Sequence, residues 1–158
     1  MPVETAKVVG RRQVRFVNLG EVAADVEHLA AGKIRTLGNW SPGQILWHLA
    51  SVMNSSIDGT TLRAPWYMRL FAPLMKRRML TRGMPAGFKL SPEFAAVFEP
   101  PPTSLEQGLE TFRTAVRRQQ TESHRTPSPF LGEMTREEWE QLHCRHAELH
   151  LSFLLPEN

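Results

Sequence analysis

Four stretches of the chain repeat apolar residues at helical spacing, with polar or proline-rich segments between them. In the first, Val22, Val26 and Leu29 recur at i, i+4, i+7. Asn18 can cap this helix, which is expected to run from about Leu19 to Ala31 with Gly32 ending it. Ahead of it, Val14, Phe16 and Leu19 give RRQVRFVNL an extended character, too brief for a sheet of its own. The second stretch, NWSPGQILWHLASVMNSSIDG, opens on a stronger signal. Ser41 is the N-cap, Pro42 takes the first helical position and Gln44 completes a capping box. Trp40 can pack back on the first turn as a staple, and the helix is expected to reach about Asp58, where Gly59 stops it.

A third helix begins near Thr103 or Ser104, with Glu106 and Gln107 three residues beyond each. Its apolar stripe is Leu105, Leu109, Phe112 and Val116. After TPSPFLGEM, Thr135 and Glu138 frame another capping box, and the last helix is expected from about Arg136 to Leu154. Between the second and third helices, prolines at 65, 73, 85, 92, 100, 101 and 102 forbid a long helix. PWYMRLFAPLMKRRML leaves room for one or two short ones. Residues 60–102 read as an insertion packed across the ends of the main helices, with FEPPP as a stiff lead-in to the third. No single helix can bury its stripe alone. The predicted fold is therefore all-α, a four-helix bundle forming one domain over residues 1–158.

The totals exclude several classes. With 158 residues the chain suits one domain, and 41% hydrophobic against 22% charged residues is an ordinary globular balance. A net charge of +3 is too small to imply nucleic acid. The single cysteine, Cys144, rules out an internal disulfide and says nothing against a reducing cytoplasm. MPVETAKVVGRRQ lacks the apolar core of a signal peptide, and no apolar run approaches the roughly 18 residues of a membrane span. A soluble cytoplasmic protein with no nucleic-acid and no membrane partner is the expectation. The basic stretch LMKRRMLTR sets Lys76, Arg77, Arg78 and Arg82 beside Leu74, Met75, Met79 and Leu80. It could dock on acidic lipid or nucleic acid, but a solvated amphipathic helix on the insertion is the expected meaning. Trp47 and Trp66 read as core residues.

Three of the six histidines fall within LHCRHAELH: His143, His146 and His150. A helix advances about 100° per residue, so His150 lies about 40° from His146 and one turn above it. Two imidazoles so placed can share one ion. His143 with His146 is the alternative pair, whereas His143 and His150 stand about 10.5 Å apart in rise. A polar strip at a helix end is the competing meaning, since cationic histidine suits the dipole there. Trp139, Leu142, Leu149 and Phe153 flank the histidines and turn the strip inward, where neutral imidazoles need partners. A catalytic ion needs a third ligand. His48 is the candidate, three residues after Ile45 and four before Val52 on the apolar stripe of the second helix. Gln44, one turn earlier, could orient His48, although service in the capping box alone is preferred. Cys144 is turned about 160° from His146 and packs elsewhere.

GNWSPGQILWHLA, followed at a distance by EMTREEWEQLHCRHAELHLSFL, resembles the DinB-like (YfiT-like) metalloenzyme superfamily. Within it, the chain is similar to a bacterial family catalogued only as a domain of unknown function. The similarity runs nearly end to end. It implies a DinB-like four-helix bundle of up-down-down-up topology. One histidine of the second helix and two of an HxxxH on the last would hold a divalent metal: His48, His146 and His150. Some members of the superfamily use mycothiol or bacillithiol as cosubstrate in S-transferase or isomerase reactions. The insertion is longer here than in compact members, which suggests a lid or a contact between two copies in a homodimer.

A three-histidine site of this kind leaves a coordination position open. It would suit a metal-dependent hydrolase or a low-molecular-weight-thiol-dependent transferase, with a small-molecule or thiol cosubstrate. Imidazole nitrogens accept zinc, nickel, copper or iron. A non-catalytic bundle binding a metal or small molecule is the other reading. His143 could shuttle protons, or sit at the surface one turn before the site.

Overall fold

The computed structural model describes residues 1–157, and they are mostly helical. Among them, seven α-helices and two short strands follow a 3-10 turn at Thr5–Lys7. In order they are α1 (Leu19–Ala30), β1 (Lys33–Thr36), α2 (Pro42–Asp58), α3 (Trp66–Leu70), α4 (Ala72–Arg82), α5 (Pro92–Phe98), α6 (Leu105–Thr121), α7 (Arg136–Leu151) and β2 (Leu154–Glu157). No described helix is long and apolar enough to cross a membrane.

The caps set the long helices. Asn18 accepts from the Glu21 amide at the start of α1. Complete capping boxes open α2 (Ser41 with Gln44), α6 (Ser104 with Gln107) and α7 (Thr135 with Glu138). Each box satisfies two amides that a helix start would leave unpaired. The stripes of α1, α2, α6 and α7 then meet in one core that includes Val22, Val26, Leu49, Met53, Phe112, Ala115, Ala147 and Leu151. Leu105 and Leu109 lie at its margin, only partly buried. Near their N-termini α2 and α6 approach so closely that Gly43 and Gly108 meet backbone to backbone.

Three expectations need correction. The last helix stops at Leu151, short of Leu154. Leu154–Glu157 instead pairs antiparallel with Lys33–Thr36, in a register that sets Leu154 opposite Thr36 and Glu157 opposite Lys33. Phe153 and Leu154 continue the apolar spacing and so mimic a helix, yet both are buried outside it, Phe153 in the turn after α7 and Leu154 at the start of the strand. Pro156 disfavours helix at Leu155, and the Leu37 amide donates to the Phe153 carbonyl beyond the ribbon. Residues 60–102, secondly, hold three helices. PWYMRLFAPLMKRRML forms α3 and α4, and α5 was not foreseen. Its Phe94 and Phe98 are buried, Phe94 against Phe130 at 4.2 Å between ring centroids. Thirdly, Trp66 is not core: it is 73% exposed. Trp47 is half-buried.

Met75, Met79 and Leu80 of α4 pack against a second apolar cluster containing Trp139 and Leu142 of α7. Lys76 reinforces the contact, donating to Glu138 at 3.0 Å and to the Glu133 carbonyl at 3.1 Å. Helix α4 is thus fastened to the helix that carries the histidine run.

Candidate metal centre

The capping box at Ser41 fixes the phase of α2, so that Ile45, Leu49 and Met53 face the core and His48 points toward α7. The box at Thr135 does the same for α7, which is buried continuously from Leu142 to Ala147. Arg145, buried within that run, donates to the Phe16 carbonyl and pairs with Glu148 at 3.1 Å. Glu148 accepts in turn from the Phe16 amide at 2.8 Å. These contacts tie the extended segment before α1 to the back of α7 and oppose rotation of its histidine face.

His48, His146 and His150 come together. One ring nitrogen from each lies within 4.8 Å of the others. The Nε2 atoms of His48 and His146 are 3.0 Å apart. Ring centroids are separated by 4.9 Å for His48–His146 and by 4.7 Å for both His48–His150 and His146–His150. The i, i+4 pair on α7 is therefore the one that meets His48, not His143 with His146. Trp40, expected only as a staple, stacks on His150 at 5.5 Å and lies 4.8 Å from the His48 ring. It walls the cluster on one side.

The orienting partner of His48 is not Gln44. Gln44 accepts from the Ser41 amide at 2.9 Å and donates to the Pro100 carbonyl at 3.3 Å. His48 Nδ1 instead donates to the Phe98 carbonyl at 2.7 Å. That bond leaves Nε2, the nitrogen facing His146, as an unprotonated acceptor. The carbonyl is free because α5 ends at Phe98, and the last carbonyls of a helix lack intrahelical donors. A backbone oxygen has no letter in the sequence, so the only available signal was the helix stop in FEPPP.

Burial holds all three imidazoles below the ordinary histidine range. For His48 desolvation dominates and the Phe98 carbonyl opposes it. His146 and His150 fall well below their usual value through desolvation first. Neighbouring histidines add to it: His150, His48 and His143 at His146, and His48 at His150. Three neutral imidazoles therefore converge at neutral pH. Such nitrogens are ligands in want of an ion. The Nε2 atoms of His48 and His146 stand 3.0 Å apart and the His150 nitrogen lies within 4.8 Å of both, a spacing at which three side chains can reach one small cation. The donor set fits a divalent metal.

His143 lies outside the cluster and is not at the surface. It is 1% exposed, stacks on Trp139 at 5.4 Å and reaches the Ser56 hydroxyl from Nε2 at 3.2 Å. Desolvation, aided by Arg125, lowers its pKa to about 3. Gln119 donates to the same Ser56 hydroxyl at 3.0 Å, so His143 belongs to a buried polar chain joining α2, α6 and α7.

Cys144 faces away into the core, fully buried. Desolvation, then Glu140, Glu148 and Glu21, push its thiol up to about 12. Thiolate is the reactive form. Native protein at pH 8 is therefore expected to resist iodoacetamide at Cys144 for hours, and denatured protein to react within minutes, as read by intact mass.

One family model, described as a protein of unknown function (DUF1569), matches residues 8–157. No curated protein and no solved structure matches the chain.

Proposed function

The chain belongs to this family of unknown function (DUF1569), and from that premise we propose that it is a metal-dependent enzyme of the DinB-like kind. In this reading α1, α2, α6 and α7 form a four-helix bundle, and residues 1–158 are one domain in which 60–102 is an insertion. The protein works in the bacterial cytoplasm. The observation that supports the metal is the convergence of His48, His146 and His150, one nitrogen from each within 4.8 Å of the others.

His48 would enter as an Nε2 ligand, held by its Nδ1 bond to Phe98, and His146 and His150 would enter from successive turns of α7. A divalent ion with three protein ligands supplies Lewis-acid chemistry at a remaining position, open to water or to a thiolate. The chain prepares for it in two ways. Burial keeps the imidazoles deprotonated, so binding at neutral pH releases few protons. Trp40 covers one flank and limits solvent around the rings. Zinc, nickel and iron all suit such nitrogens.

Two reaction classes fit: hydrolysis, and transfer to a low-molecular-weight thiol. The second reading is a non-catalytic metal- or small-molecule-binding bundle. It is favoured by one observation: no carboxylate among the described residues joins the three histidines to serve as a base. Turnover decides between them. Metal-loaded protein is expected to conjugate a thiol such as bacillithiol to an electrophile, or to hydrolyse an activated ester. The rate should fall at least about 100-fold in His48→Ala. Full metal occupancy with no turnover of either substrate class would leave the binding bundle.

A further inference from the structure

Helices α3 and α4 present to solvent the side chains that elsewhere fill the core. Trp66 is 73% exposed, Tyr67 54%, Leu70 68%, Phe71 61% and Leu74 70%. α3 buries none of its residues and α4 only Ala72. Residues three and four apart share a helix face, so Leu74 stands beside Arg77 and Arg78, with Leu70 and Phe71 leading into it. The opposite face of α4 is the one already packed on α7 through Met75, Met79 and Leu80. The outward apolar face therefore has no partner among the described residues.

Its charge is one-sided. From Gly59 to Pro92 there is no aspartate or glutamate, while Arg63, Arg69, Lys76, Arg77, Arg78, Arg82 and Lys89 all fall there. Lys76 is engaged by Glu138. The other six are exposed and form no salt bridge among the described residues. This segment carries more positive charge than the net +3 of the whole chain.

We propose that this face docks on an anionic phospholipid surface, its aromatic and leucine side chains entering the headgroup layer and its guanidiniums meeting lipid phosphates. A second copy of the chain is a poor occupant, because two such faces in apposition would set unpaired cations against each other. Charge complementarity asks for an acidic partner. Nucleic acid is bound mainly through phosphate and polar contacts, which would leave Leu70, Phe71 and Leu74 in water. An interfacial lipid layer takes Trp, Tyr and Leu together with flanking Arg. The solvated meaning first given to LMKRRMLTR does not account for an apolar face turned outward. This inference goes beyond the metal reading and stands or falls separately from it.

The test is sedimentation of the full chain with vesicles of phosphatidylglycerol and phosphatidylcholine, against vesicles of phosphatidylcholine alone. Binding to the anionic vesicles is expected, with partitioning reduced about 30-fold in Arg77→Gln/Arg78→Gln, since each basic residue near such a surface contributes about a factor of five. Tryptophan emission should shift to the blue on binding, and Trp66→Phe should lose most of that shift while keeping its circular dichroism and metal content. Equal partitioning on both vesicle types, or none on either, would overturn the proposal. So would retention on double-stranded DNA without vesicle binding, or a concentration-dependent dimer dissolved by Leu74→Ser.

Discussion

His146→Ala is expected to leave the purified protein nearly free of metal, while the wild type, prepared without a nickel column, retains about one ion per chain. His146 meets both other rings: its Nε2 lies 3.0 Å from that of His48, and its ring centroid lies 4.7 Å from that of His150. Loss of a partner that merely orients a ligand costs about 10–100-fold in affinity, so loss of the ligand itself should exceed about 100-fold. Elemental analysis after dialysis reads this directly. Thermal melts give a second readout that separates binding from packing. At an ion concentration about 100 times Kd, the wild type gains about 2.7 kcal/mol. In a domain of this size that is a rise of roughly 5–10 °C. The variant has its own baseline without metal, whatever the cavity costs it. What should vanish is the increment on adding zinc or nickel. His48→Ala should behave alike, and Cys144→Ser should keep the increment. Equal metal content and equal increments in wild type and His146→Ala would end the case for the site.

Gly43→Ala is expected to be the most damaging glycine-to-alanine change in the described residues. A Cβ there would sit 2.2 Å from the Ser104 carbonyl oxygen and 2.4 Å from that of Thr103. At Gly108 it would sit 2.4 Å from the Gly43 carbonyl oxygen. All of these neighbours are backbone, so no rotamer change relieves the clash. The helices must part where their N-terminal turns cross, and overpacking of this kind costs about 3 kcal/mol. A fall in Tm of roughly 6–12 °C follows. Gly32→Ala is the control, because its Cβ would meet nothing within 4 Å and its φ is not positive. It should be neutral or slightly stabilising. A Gly43→Ala protein within about 1 kcal/mol of wild type would show that α2 and α6 do not approach this closely.

What could be read from the sequence was local. Ser41 with Gln44 and Thr135 with Glu138 are short-range signals, and the helices open where those residue types indicate. The i, i+4 relation of His146 and His150 is equally local. His48 was legible at one remove, as a polar residue on an apolar stripe whose only economical partner lay on another helix. The ribbon of β1 and β2 escaped because its strands have four residues each and pair across most of the chain, with no alternation long enough to register. The orienting Phe98 carbonyl escaped because main-chain atoms are common to every residue. His143 was misplaced for a related reason. Its burial depends on Ser56, Gln119 and Trp139, which are brought to it only by packing. Trp66 failed in the opposite sense, since size and aromaticity argue for the interior unless something outside is waiting for them.

The pairing of Lys33 with Glu157 also bears on how quickly the molecule can acquire its shape. A helical protein assembled from sequential hairpins closes short loops and folds fast. Here the strand after α1 waits for the segment beyond α7, and α2 must find a partner nearly a hundred positions downstream, as the bond between His48 and His146 records. Entropy is lost in closing those long loops before the contacts repay it. The rate of folding should therefore resemble that of a mixed α/β domain more than that of an up-and-down helical one, despite the near absence of sheet.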